Sequence, residues 1–293
     1  MNDKVKLWVY ATRPHTLGAS MAPMLVLLGA LIGEQVFHFG LFLLCLIVAI
    51  SAQIASNFAN DYFDYMDEKD TANRVGFERI LQSGKATPHQ MMIALMIALG
   101  ICAVSGIALV ALQGWELLII GVLVMIGAVA YSAGPFPLSH HALGDIAVVL
   151  FYGLIPLLAG YYTIAGIFPS YLIPLAFGIG IWEANILVTN NYRDYNEDVA
   201  SGKGTIIVRM GRRSGPILYT INSLLSLVCI TLGLILHGKI IWAIVIAIIC
   251  LILYGIGMLS IRKLRATSLN KLLKYTNITS LIVGFFILLA LIF

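Results

Sequence analysis

Two short stretches of the chain repeat one acidic pattern, and each directly follows a long apolar run. In both, an asparagine is followed at intervals of four residues by two acids. This spacing places three side chains on one face of a helix, one turn apart. Clustered carboxylates repel one another unless a cation lies between them, and Mg²⁺ binds a few such oxygens together with substrate phosphates. The pattern therefore predicts a Mg²⁺-diphosphate site between two helix ends. Its residues are Asn60, Asp64 and Glu68 in the first stretch and Asn190, Asp194 and Asp198 in the second.

Basic residues follow each acidic stretch, as a diphosphate site requires. Arg and Lys side chains donate to phosphate oxygens that carboxylates alone would repel. The alternative is that these side chains anchor the loops to anionic lipid headgroups. We favour the lipid role for Arg212, Arg213 and the basic cluster at 262–274, and the phosphate role for Arg79 and Lys85. The candidate phosphate-binding residues are Arg74, Arg79, Lys85 and Lys203.

The composition is that of an integral membrane protein. Of 293 residues, 60% are hydrophobic and only 11% are charged, whereas soluble domains carry about 25% charged residues. A spanning helix needs about 20 apolar residues, and the chain contains nine candidate segments. They are roughly residues 16–33, 39–59, 89–112, 115–132, 143–164, 171–190, 215–236, 240–260 and 275–293.

Lysine and arginine lie almost entirely on one side of these segments. If all nine segments span, 17 of the 18 basic residues fall on the side of the N-terminus, and only Lys239 falls on the other. The positive-inside rule makes that side cytoplasmic. We therefore predict an all-α bundle of nine transmembrane helices in the plasma or inner membrane, with the N-terminus and both acidic loops cytoplasmic. Residues 1–293 would form one membrane domain of two weakly related halves, about 1–140 and 141–293.

The residues around both acidic stretches resemble the motifs of intramembrane aromatic prenyltransferases, the UbiA superfamily. Residues 60–64 and 70–84 are similar to the first motif, and residues 190–211 are similar to the second. Residues 131–137 and 143–145 resemble the loop between helices 4 and 5 in one branch. That branch prenylates 1,4-dihydroxy-2-naphthoate in menaquinone synthesis.

The resemblance implies an intramembrane cavity that is capped by two polar loops. A polyprenyl diphosphate would bind there with its head on Mg²⁺, and its allylic cation would be attacked by an aromatic acceptor. Mg²⁺ would neutralise the departing diphosphate. The implied catalytic residues are Asp64, Asp194 and Asp198. The implied metal ligands are Asn60, Asp61, Asp64, Glu68, Asp70, Asn190, Asp194 and Asp198, with the choice among Asp61, Asp67, Glu68 and Asp70 left open. The implied substrate-binding residues, beside the four basic ones, are Asn60, Tyr131, His141, Asn190 and Arg193.

Two further positions have roles that the sequence leaves open. At the first, His141 stands where the naphthoate branch usually has an arginine. His140 and His141 either bind the carboxylate of the acceptor, act as a base, or are ordinary interfacial histidines. Glu183 lies inside predicted helix 6, where a carboxylate is energetically expensive and suggests a function. Glu183 either lines the cavity or pairs with a polar group on a neighbouring helix.

These observations favour a Mg²⁺-dependent transfer of a polyprenyl group to 1,4-dihydroxy-2-naphthoate, with decarboxylation to demethylmenaquinol. The alternative within the enzyme class is another acceptor, such as 4-hydroxybenzoate. The alternative from another class is a secondary transporter. A transporter would explain Glu183 and Pro174, but not the acids clustered at one membrane face. Membrane lipid is an expected partner, and nucleic acid is not.

Overall fold

The computed structural model describes residues 3–67 and 76–293, and this part of the chain contains helices and no strand. Twelve helices follow one another, with short 3₁₀ turns at Pro14–Thr16, Leu138–His140 and Ala266–Ser268. They are α1 (Asp3–Ala11), α2 (Gly18–Gly33), α3 (Phe39–Met66), α4 (Pro88–Gln113), α5 (Leu117–Ala130), α6 (Gly144–Ala165), α7 (Leu172–Arg193), α8 (Tyr195–Ala200), α9 (Ile206–Met210), α10 (Ser214–Leu236), α11 (Ile240–Lys263) and α12 (Leu269–Ile292).

Seven of these helices are long and apolar enough to cross a membrane: α3, α4, α6, α7, α10, α11 and α12. An eighth span results if the segments Val5–Thr16 and Gly18–Gly33 are counted together, although they are bent by 60°. Helix α5 is apolar but has only 14 residues. The all-helical class is therefore confirmed, and each predicted apolar segment contains a helix. The number of nine spans, the cytoplasmic N-terminus and the division into two halves stay predictions.

The bend before α2 has a local cause in the sequence. Arg13 adopts a left-handed backbone with φ of 56°, and Pro14 then starts a short 3₁₀ turn. Proline has no N–H to continue the hydrogen bonds of α1. The chain therefore changes direction here, and the Arg13 side chain lies beside the end of α3.

The second acidic motif is positioned by the most buried part of the bundle. The Trp182 ring of α7 stacks on Tyr254 of α11, with 3.7 Å between ring centres. Its indole N–H donates to the carbonyl of Thr276 in α12 at 3.2 Å, and the Thr276 hydroxyl pairs with that of Tyr219 in α10 at 2.9 Å. All four side chains are buried. Because four helices meet at Trp182, the half of α7 that leads into the second acidic motif has a fixed place in the bundle.

The first acidic motif is positioned by the packing of α3 against α4. Ala55, Phe58 and Ala59 of α3 form one apolar cluster with Met91 and Leu95 of α4. These α3 residues lie on the turns immediately before the acids. Burial of this face therefore leaves the polar face of the last turns of α3 directed toward the second motif.

Candidate active site

A cavity of about 350 Å³ connects the two acidic motifs with the apolar interior of the bundle. Along α3 its lining runs from Cys45 to Asp61, which is about 24 Å of helix at 1.5 Å per residue. One end is polar, and we call it the mouth. The mouth is lined by Asn60, Asp61, Arg79, Asn190, Asp194, Asp198 and Lys203. The opposite end is apolar and is lined by Val48, Leu109, Leu117, Ile120, Val124, Phe151 and Ile155.

Asp64 of the first motif is in direct contact with a residue of the second motif. Its side chain is fully buried, and its Oδ2 accepts from Lys203 Nζ at 2.7 Å and pairs with Arg79 Nη2 at 2.8 Å. Lys203 belongs to the second motif, 139 residues further along the chain. His140 Nε2 lies 3.6 Å from the other carboxylate oxygen. A buried carboxylate requires such compensation, so Asp64 and the surrounding cations form one unit.

Asn60, in the last turns of α3, forms hydrogen bonds with three other side chains at the mouth. Its Oδ1 accepts from Arg79 Nη2 at 2.8 Å and from Arg13 Nη2 at 3.2 Å, and its Nδ2 donates to Ser132 Oγ at 3.0 Å. Arg79 Nη1 also donates to the Asn60 backbone carbonyl at 2.9 Å. Arg79 therefore holds both Asn60 and Asp64, one helical turn apart.

The second motif has its own arginine-carboxylate pair at the end of α7. Arg193 donates to Asp194 through Nε at 2.6 Å and Nη2 at 2.7 Å, and to Asn270 Oδ1 through Nη1 at 2.6 Å. The guanidinium also lies 5.9 Å from the centre of the Phe77 ring, so the segment after the first motif covers this pair. Asp198 is buried one helical turn beyond Asp194.

The segment that contains Tyr131 and the two histidines packs onto the second motif. The Gly204 backbone N–H donates to the His140 carbonyl at 3.1 Å. Tyr131 lines the cavity, and its phenol O–H can donate a hydrogen bond there. His141 instead stacks on Phe136, with 3.6 Å between ring centres, and is not among the cavity-lining residues.

Several predicted site residues lie apart from the mouth or outside the part of the chain that can be assessed. Lys85 is half-exposed and pairs with Glu78 at 2.8 Å, and this pairing lowers the pKa of the Glu78 carboxyl. Lys85 does not line the cavity. Glu68, Asp70 and Arg74 fall outside the described residues, so their roles at the site stay predictions.

Sequence reasoning missed two residues that contact the site. The charge pattern includes Arg13 without a role in the site, and the pattern around Tyr131 indicates no role for Ser132, yet both bind Asn60. The signal for Arg13 was its place in Arg13-Pro14, where a helix must break beside a polar end of the bundle. Ser132 carried no such signal, because its contact with Asn60 spans 72 residues.

The mouth offers the oxygen donors that suit Mg²⁺. Three carboxylates and two side-chain amides face it, and hard oxygen donors with room for water and phosphate are the environment that Mg²⁺ prefers. Within residues 3–67 and 76–293 no three His, Cys, Asp or Glu side chains converge as a ready metal cage. The residues therefore fit a metal that substrate phosphates help to bind.

Comparisons with known proteins agree with this geometry. A family model for the UbiA prenyltransferase family matches residues 20–291. Relatives include 1,4-dihydroxy-2-naphthoate octaprenyltransferases of Haemophilus influenzae, 31% identical, and of Escherichia coli, 34% identical; each match covers 78% of this chain and 77% of the relative. The solved structure of a UbiA homolog from Archaeoglobus fulgidus, bound to GPP and Mg²⁺, superposes with a TM-score of 0.70 at 18% identity, over 98% of this chain and 99% of that one.

The chain belongs to the UbiA prenyltransferase family. The match covers nearly the whole sequence, and the helical bundle agrees with the fold of solved members. The protein is therefore an integral membrane prenyltransferase. This result decides between the two classes of function that the sequence left open, in favour of the enzyme.

Proposed function

We propose that the protein transfers a polyprenyl group from polyprenyl diphosphate to 1,4-dihydroxy-2-naphthoate, with loss of CO₂, in menaquinone synthesis. The observation that carries the proposal is the cavity with an ionic mouth and an apolar end. A polyprenyl diphosphate has the same division between a charged head and an apolar tail. The relatives named for this naphthoate reaction support the choice of acceptor.

The chain's own residues supply the diphosphate site. Arg79 and Lys203 line the mouth and both contact the buried Asp64, and Arg193 lies beside Asp194. Charge-assisted hydrogen bonds from such side chains hold phosphate oxygens well. Asn60, Asp61, Asn190, Asp194 and Asp198 would hold Mg²⁺ together with the diphosphate, and Asp64 would join them or position their neighbours. Bound Mg²⁺ would supply Lewis-acid charge neutralisation of the leaving group.

The reaction balances without an oxidant or a further reactant. The bond between the allylic carbon and the diphosphate oxygen breaks, and its electron pair leaves with the diphosphate. The ring carbon that bears the carboxylate then attacks the allylic cation and forms the new carbon–carbon bond. Loss of CO₂ returns an electron pair to the ring, which gives demethylmenaquinol. The apolar end of the cavity would keep water away from the bound isoprenoid chain, and water would otherwise capture the cation.

Mass spectrometry of the product tests this proposal. We expect purified protein with Mg²⁺ and polyprenyl diphosphate to convert 1,4-dihydroxy-2-naphthoate to a decarboxylated product. Its mass should be lower, by the mass of one CO₂, than that of the product in which the prenyl group replaces a ring proton. The parallel incubation contains 4-hydroxybenzoate, whose prenylation keeps the carboxyl group. A product that retains its carboxylate, or faster turnover of 4-hydroxybenzoate, would contradict the naphthoate assignment.

A further inference from the structure

A band of polar side chains crosses the cavity between the mouth and the apolar end. It contains Thr16, Ser20, Gln53, Tyr152 and Glu183, all of which line the cavity. Glu183 lies seven residues before Asn190 on α7, which is about 10 Å deeper at 1.5 Å per residue. An isoprenoid tail offers these groups no hydrogen bond. The band therefore suits a ligand with polar substituents below the diphosphate.

Within this band, Ser20 and Gln53 are already engaged with the chain itself. Gln53 accepts from the Ser20 hydroxyl at 2.5 Å and donates to the Thr16 carbonyl at 2.8 Å. These bonds join α2 to α3 and hold one wall of the band. The side chains of Ser20 and Gln53 therefore stabilise the contact between α2 and α3.

Glu183 differs, because only one of its carboxyl oxygens has a hydrogen-bond partner. Its side chain is 1% exposed. The Ser280 hydroxyl of α12 donates to Oε1, whereas Oε2 is buried without a hydrogen bond. Both roles that the sequence left open are thus realised, since Glu183 pairs with a neighbouring helix and also lines the cavity. A buried polar atom without a partner is unfavourable, and a ligand that donates to Oε2 would remove that penalty.

We propose that Glu183 is an acceptor-binding residue, whose Oε2 receives a hydrogen bond from a ring hydroxyl of the aromatic acceptor. Tyr152 lines the same cavity and offers an aromatic surface there. The inference rests on the proposed function, because it takes the acceptor to be a hydroxylated aromatic acid. It adds a contact that specifies the hydroxyl group, separate from the contacts that bind the diphosphate.

Steady-state kinetics of Glu183→Leu and Glu183→Gln test this role. Loss of the hydrogen bond in Glu183→Leu is expected to lower kcat/KM for the acceptor about 10- to 100-fold, with KM for polyprenyl diphosphate unchanged. Glu183→Gln keeps an oxygen acceptor and should recover most of the loss. The matched control is Asn185→Leu on the same helix, because Asn185 bonds Ser223 and the Tyr219 carbonyl away from the cavity. This control should leave the acceptor KM unchanged.

Inhibition by 1-hydroxy-2-naphthoate and 4-hydroxy-2-naphthoate identifies the hydroxyl. Each analogue carries one of the two ring hydroxyls of the acceptor. The analogue without the hydroxyl that binds Glu183 should inhibit wild type and Glu183→Leu equally. The analogue that has this hydroxyl should inhibit wild type strongly and Glu183→Leu weakly. Equal loss of affinity for acceptor and diphosphate, or no loss for either, would overturn the inference. If wild type uses 4-hydroxybenzoate instead of the naphthoate, the proposed function fails. The Glu183 kinetics are then measured with that acceptor and still decide the residue's role.

Discussion

At the scale of single residues, the site depends on two cations that share one buried carboxylate, one of which also binds an amide. Arg79 contacts Asn60 and Asp64, and Lys203 contacts Asp64 from the opposite motif. Removing one cation would leave the buried carboxylate with fewer partners, which is unfavourable. It would also remove a donor that the diphosphate needs.

Arg79→Gln is therefore expected to lower kcat/KM for polyprenyl diphosphate about 10- to 100-fold, the range expected for a lost hydrogen bond to a charged group. Arg262→Gln is the control, because this substitution removes the same charge from the protein. Arg262 is exposed at the end of α11. Initial rates at varied diphosphate concentration give the comparison. If the two variants lose activity equally, the effect of Arg79 is one of net charge only.

At the scale of elements, the cavity wall depends on two helices that approach closely. A Cβ atom on Gly153 of α6 would lie 2.4 Å from the carbonyl oxygen of Ala176, and one on Gly180 of α7 would lie 2.7 Å from that of Val149. These neighbours are backbone atoms and cannot rotate away. Small residues at helix contacts in membranes allow such approach, so α6 and α7 are held together where they line the cavity.

Gly180→Val is expected to force these two helices apart and to destabilise the protein by about 1–3 kcal/mol, as overpacking typically does. Gly100→Val is the matched control, because a Cβ there meets no atom within 4 Å. Thermal unfolding of both variants in the same detergent measures the difference. A Gly180→Val protein that melts with wild type would show that the contact contributes little to stability.

At the scale of the whole molecule, the orientation in the membrane follows from the distribution of charge. With 17 of 18 basic residues on one side of the predicted spans, we expect the acidic loops to face the cytoplasm. An impermeant thiol reagent added to intact cells should then label Gln113→Cys but leave Ser83→Cys and Val199→Cys unlabelled until the membrane is permeabilised. All three positions are exposed. Labelling of Ser83→Cys or Val199→Cys from outside would reverse the assigned orientation.

The sequence predicts the helical segments well because apolar length alone determines them. It does not predict that α5 is short or that α6 contains a π-helical stretch at Leu150–Ala159 with Pro156 inside. Those features depend on how neighbouring helices satisfy the backbone. The acidic motifs are similarly visible as spacing. The contacts Lys203–Asp64 and Arg13–Asn60 are not, because they join residues 139 and 47 positions apart.

The central claim is that the two motifs act as one Mg²⁺-dependent site, and a double-mutant cycle tests it most directly. The variants are Asp64→Asn, Asp194→Asn and both together, assayed for turnover of polyprenyl diphosphate and 1,4-dihydroxy-2-naphthoate. Each single change should lower kcat at least roughly 100-fold. The double change should be little worse, because residues that act as a unit are strongly non-additive. A chelator should abolish the activity of wild type. Losses that multiply, a fully active Asp194→Asn, or turnover that persists without Mg²⁺ would contradict the account.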